Sequence, residues 1–191
     1  KGRANQLCCA IARVQLKYYD ERCAKIRETM NYFYDELESI TDAFKAVRID
    51  ESTGSNMAGW YSPHGRYIPE ELGGLSVRHF CEAVRAEGIE TWDGGNFCLH
   101  THPFFASFDL TNTGTPSRIE FNDHDVRVDD NKCKPSETIY CFSVPWFKHF
   151  DQEWIEKYAA IFRKVILNHE QLLESDTDKS QGGRWYGTTN A

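Results

Sequence analysis

Residues 75–92 read LSVRHFCEAVRAEGIETW, and the fold class turns on how this stretch is divided. Ser76 has the residue type that caps a helix amino terminus with its side-chain oxygen, and Leu75 and Phe80 flank it at the spacing of a hydrophobic staple. Phe80, Ala83 and Val84 recur at helical spacing, and Gly88 stands where a left-handed glycine closes a helix. Ile89 to Trp92 then has the composition of a strand. A short helix bounded on both sides and followed at once by a strand is the unit from which the rest is read outward.

Upstream, residues 4 to 40 contain no Gly or Pro and are helical in pattern. Leu7, Ile11, Val14 and Tyr18 form one stripe, and Tyr19, Cys23, Ile26, Met30, Phe33, Leu37 and Ile40 form a second, out of phase by one residue near Asp20. The reading is one long helix bent at that slip, with two helices in tandem as the alternative. Phe44 to Ile49 and Met57 to Ile68 are extended segments separated by a polar loop, and Pro69 to Gly74 is a turn.

Downstream, Asp93 to Asn96 is a turn and Phe97 to Phe105 is extended. Residues 106 to 137 form a long polar excursion, and Thr138 to Val144 is strand-like. Asp151 caps the last helix, with Phe150 and Ile155 as its staple. The apolar face expected there is Trp154, Tyr158, Ile161, Val165 and Leu172, widened by Phe162 and Ile166. The order of helix, strands, helix, strands, helix predicts an α+β fold: a small, largely antiparallel sheet with helices packed on one face. One domain over 1–174 and a polar tail over 175–191 are expected.

Composition narrows function. A formal charge of -7 over 191 residues argues against nucleic acid, whose phosphates demand basic surfaces. No run of about 20 apolar residues is present to span a bilayer. The seven cysteines, Cys8, Cys9, Cys23, Cys81, Cys98, Cys133 and Cys141, form no C-x-x-C and are odd in number. They are expected to be free, mostly buried thiols, with cytoplasmic localisation.

Several segments, in order, resemble the carboxy-terminal region of the DegT/DnrJ/EryC1/StrS aminotransferases. Lys1-Gly2-Arg3-Ala4-Asn5-Gln6-Leu7, followed by Ala10 to Leu16 and Asp20-Glu21-Arg22, looks like that family's arginine-bearing lead-in to a long helix. Glu82 to Gly88 resembles its motif before a strand, Leu99 to Phe105 its L-H-x-x-P-x-F segment, and Ile161 to Val165 its closing helix. The resemblance implies the small domain of a fold-type I transferase that uses pyridoxal phosphate to aminate nucleotide-linked keto sugars or keto cyclitols. It also implies a homo-oligomer with active sites shared between subunits.

The resemblance further implies cofactor-binding roles for Lys1 and Arg3, which stand where relatives approach a cofactor phosphate; a guanidinium suits an oxyanion through paired hydrogen bonds. Gly2 replaces the aromatic customary between them. His100 and His102, two apart on an extended segment, would share one face and are the candidate substrate-binding residues for a sugar or cyclitol. Zinc binding by this pair is disfavoured, because no Cys or carboxylate lies nearby at ligand spacing. Trp60, Tyr61 and Tyr67 are read as core in preference to a sugar-stacking surface.

No catalytic residue is assigned. Aldimine chemistry needs a lysine in a partly desolvated site, which in the family lies in a serine–histidine–x–lysine stretch of the preceding domain. None of the lysines here has that context. Lys17, Lys25, Lys157 and Lys164 fall on solvated helix faces. The expectation is that pyridoxal phosphate serves the intact enzyme, that none binds this chain alone, and that the partner is an N-terminal cofactor domain. The face of the first helix that would meet it is expected to be apolar and exposed. A free-standing, non-catalytic binding module derived from that domain is the competing reading.

Overall fold

The structure, a computed structural model, describes residues 5–94, 109, 112–114 and 139–177. These residues form helices α1 (Gln6–Leu16), α2 (Tyr19–Glu38), α3 (Val77–Ala86), α4 (Gln152–Leu167) and α5 (His169–Leu173), with strands β1 (Phe44–Ala46), β2 (His64–Tyr67) and β3 (Tyr140–Ser143). The three strands make one antiparallel sheet in the order β1-β2-β3. Phe44 faces Tyr67 in one register and Gly65 faces Phe142 in the other. The α+β arrangement expected from the sequence is present.

The helical lead-in is two helices rather than one bent helix. Asn5 caps α1 through its side chain, which accepts from Leu7 N–H at 2.8 Å. The chain breaks at Lys17 and Tyr18, where the apolar stripe changes phase. Separating the helices lets each keep its own apolar face, which a continuous helix could not do across a one-residue slip. The two faces meet different surroundings. Met30, Phe33, Tyr34 and Leu37 of α2 are buried, whereas no residue of α1 is.

The core lies between the sheet and helices α2, α3 and α4. Phe142 sits at its centre, with its ring 5.0 Å from Phe44, 5.7 Å from Phe80 and 6.1 Å from Phe162. These are the separations at which aromatic rings attract through edge and tilted contacts. Gly65 makes room for this ring on the central strand: a Cβ there would lie 2.7 Å from Phe142 Cζ.

Ser76 accepts from His79 N–H at 3.2 Å, Leu75 and Phe80 are both fully buried, and Gly88 has φ 100°. The limits of α3 therefore follow from its local sequence. Asp151 caps α4 by accepting from Trp154 N–H at 3.1 Å. The staple there differs from expectation: Ile155 is buried, but Phe150 is half exposed and turns its ring edge to Tyr32 at 5.3 Å. The buried face of α4 is Ile155, Ala159, Phe162, Val165 and Ile166, rotated by about one residue from the predicted stripe, so that Trp154 is half exposed.

Three further expectations are corrected. Met57 to Ile68 is not extended throughout; Ala58 and Trp60 have φ of 47° and 51°, which folds residues 57–61 into a turn before β2. Ile89 to Trp92 forms no strand of its own and meets β3 through a single bridge, Asp93 to Phe142, and flanking hydrogen bonds. Cys8 and Cys9 are exposed on α1, which buries none of its residues, while Cys81 is buried. Burial pushes the Cys81 thiol up to about 12. Expected strand Phe97 to Phe105 lies outside the described residues.

The boundary at 174 falls beside a contact that crosses it. Asp176 accepts from both the backbone N–H and the hydroxyl of Ser76, at 2.6 and 2.9 Å. The residue that caps α3 is thus itself held by the segment following α5.

Candidate functional site

The residues assigned to the cofactor phosphate, Lys1 and Arg3, and the pair assigned to substrate, His100 and His102, lie outside the described residues. Described segments lead to each. Asn5 begins α1 two residues after Arg3. Residues 89–94 lead toward His100 and are pinned firmly: Ile89 and Thr91 are buried, and Thr91 Oγ1 donates to Ser143 O. Ser143 in turn donates its N–H to Trp92 O, and its Oγ accepts from Trp92 N–H at 2.8 Å. Arg85 donates to Thr91 O and stacks over Trp92 at 4.9 Å. The lead-in to the histidine segment is therefore a braced support built from α3 and β3.

The aromatic candidates divide. Trp60 and Tyr67 are buried, as core residues should be, and Tyr67 donates its hydroxyl proton to Leu75 O at 2.9 Å. Tyr61 is 95% exposed, so it belongs to the surface. The turn that separates their fates is strained, since non-glycine residues in the left-handed region cost of order 1–3 kcal/mol each. Trp60 Nε1 is buried with no hydrogen-bond partner among the described residues. Gly59, between the two left-handed residues, faces α2, where an added Cβ would meet Cys23 and Ile26 at 3.4 and 3.5 Å, and its carbonyl accepts from Trp146 Nε1 at 3.0 Å.

Near Trp146 lies a concavity of mixed charge. A surface pocket of about 260 Å³ lies where the start of α2 meets the segment before α4, lined by Tyr18, Glu21, Arg22, Lys25, Lys148 and His149. Lys148 Nζ rests 4.3 Å from the centre of the Trp146 ring, and the Arg22 guanidinium lies 5.7 Å from the Tyr18 ring. Arg22 also donates to the Gln15 side chain, which bridges the α1–α2 break. Lys25 and Glu21 pair at 2.6 Å, and this contact holds the Glu21 carboxyl below its usual range. Sequence reasoning missed this site because its two halves are more than 120 residues apart and each is unremarkable alone.

Of the lysines expected on solvated helix faces, Lys25, Lys157 and Lys164 are there, and Lys17 is exposed in the break after α1. Lys25 and Lys157 form exposed pairs with carboxylates one turn away, and Lys164 reaches Glu87 at 2.6 Å. Among the described residues every lysine is exposed, unlike the partly desolvated lysine that aldimine capture requires. Among the described residues no group of three His, Cys, Asp or Glu is placed to hold a metal, and no helix is long and apolar enough to cross a membrane. Comparison with protein-family models and with curated proteins gives no match.

Proposed function

We propose that this chain is the carboxy-terminal small domain of a pyridoxal-phosphate aminotransferase acting on nucleotide-linked keto sugars or keto cyclitols. In that reading the Schiff-base lysine is supplied by a preceding domain, and these residues assist at the edge of its site through Lys1 and Arg3 toward the cofactor and His100 and His102 toward the substrate. The enzyme is a dimer in the same reading.

The observation that carries the proposal is the state of α1. It has 11 residues, among them Leu7, Ile11 and Val14 at 69%, 54% and 53% exposure, and it buries nothing. An isolated helix of this length is marginal in water. Its one charged residue is Arg13. A helix so apolar and so uncovered suits a further covering surface, and in the family that the sequence resembles the cofactor domain is the candidate for one. The α+β arrangement around it suits a small domain of that type.

The test is a borohydride trap. Polypeptide isolated at its native length is incubated with pyridoxal phosphate, reduced, digested and mapped by mass spectrometry. The expected result is one modified lysine upstream of Lys1 and none at a unique position within residues 1–191. A single stoichiometric adduct inside these residues would refute the division of labour. A native polypeptide with no lysine-bearing domain upstream would favour the free-standing module instead.

A further inference from the structure

The pocket between α2 and the segment before α4 has a composition at odds with the rest of the chain. The protein carries a formal charge of -7, yet the pocket walls bring together Arg22, Lys25, Lys148 and His149 against one carboxylate, Glu21. Glu21 is engaged with Lys25. Arg22 is held by a neutral amide, Gln15, and Lys148 by the face of Trp146, so neither is neutralised by these contacts. Arg22 and Lys148 are thus two cations without a carboxylate partner in these contacts, an arrangement that an anion placed between them stabilises.

We propose that this pocket binds a phosphoryl group of a small phosphorylated ligand. Arg22 supplies a planar fork of donors suited to two oxygens, and Lys148 supplies a mobile point charge from the opposite wall. Lys25 and His149 complete the ring of donors. Tyr18, in the lining, gives a flat apolar surface against which the organic part of the ligand lies, and Trp146 stands beside Lys148. A volume of about 260 Å³ is below the roughly 300–1,000 Å³ of pockets that enclose a whole drug-sized molecule. The site accordingly takes the phosphoryl end of its ligand and leaves the rest over the Tyr18 ring. The assignment is independent of the aminotransferase reading, which places its own phosphate contacts at Lys1 and Arg3.

The experiment is titration of the 191-residue chain with inorganic pyrophosphate, followed by calorimetry and tryptophan emission. Emission is expected to change as Lys148 leaves the Trp146 ring, and Trp146→Phe is expected to abolish that change while binding persists. Arg22→Gln and Lys148→Glu are each expected to weaken binding at least tenfold, equivalent to about 1.4 kcal/mol. Lys157→Gln, which removes an exposed cation paired with Glu153, should leave affinity unchanged. Near-ultraviolet circular dichroism checks that each variant is folded, and Arg22→Gln carries the test if Lys148→Glu is not. Vesicles containing phosphoinositides form a second arm, since a lipid headgroup presents the same oxyanion. Binding to vesicles without binding to pyrophosphate would overturn the proposal of a small ligand. Absence of pyrophosphate binding at millimolar concentration, or equal binding by Arg22→Gln and Lys157→Gln, would overturn the site.

Discussion

Gly65→Ala isolates a single steric relation at the centre of the sheet. In a strand interior, Ala in place of Gly ordinarily helps, because it reduces the freedom of the unfolded chain by about 0.4–1 kcal/mol. Here the added methyl would lie 2.7 and 2.8 Å from Cζ and Cε1 of Phe142, a ring with no exposed surface and neighbours on several sides. Overpacking of this kind costs about 1–3 kcal/mol, so the clash outweighs the entropic gain and the net effect is destabilising by about 1–2 kcal/mol. For a chain of this size that lowers Tm by roughly 2–8 °C. The sign depends on Phe142. In a Phe142→Leu background, where the atoms nearest the methyl are gone, the same Gly65→Ala change should be neutral or stabilising. Urea unfolding of the four chains gives the coupling, expected at about 1–3 kcal/mol. If Gly65→Ala is neutral in the wild type and uncoupled from Phe142, the packing described at the sheet centre is wrong.

Four further outcomes are expected. Leu7→Lys combined with Ile11→Lys should leave the unfolding midpoint within about 0.5 kcal/mol, because both sites are exposed, while reducing concentration-dependent self-association in sedimentation velocity; a large stability loss would mean that α1 is packed. Cys8 and Cys9 should react with a maleimide within minutes and Cys81 only on unfolding, as read by mass spectrometry of the digested protein. Because the folded Cys81 thiol is raised from its ordinary 9.0 to about 12, the unfolded chain releases this proton first, so stability falls as pH rises from about 9 to 12; Cys81→Ala should flatten that part of the curve, and an unchanged slope would count against the burial. Asp176→Ala should cost about 1–3 kcal/mol by leaving Ser76 N–H without its acceptor, measured by thermal unfolding.

Local rules made much of the fold legible. Ser76, Gly88 and Asp151 each satisfy or terminate a helix end with their own backbone and side chain, so their roles needed no tertiary information. The phase slip near Asp20 was visible, but whether it bends or breaks a helix depends on what each face meets, and α1 and α2 meet different surroundings. The stripe on α4 was misplaced by one residue because Trp154 and Ile155 are both apolar and only the packing of Phe162 against Phe33 and Phe80 chooses between them. Left-handed Ala58 and Trp60 have no sequence signature, since neither is a residue that favours that conformation. The residues assigned from family resemblance lie outside the described part of the chain. The cationic pocket was illegible for another reason: it exists only once Lys148 is folded against α2.

The pairing of β2 has a consequence for how the chain is born. Its second neighbour, β3, begins at Tyr140, about 70 residues after Tyr67. At roughly 5–20 residues per second, a ribosome takes about 4–15 s to add that length. Throughout this interval one edge of β2 stands open and the hollow above Gly65 awaits its plug. The nascent polypeptide thus carries an unfinished sheet for seconds, an interval in which holdases or a sister chain have their best opportunity to engage it.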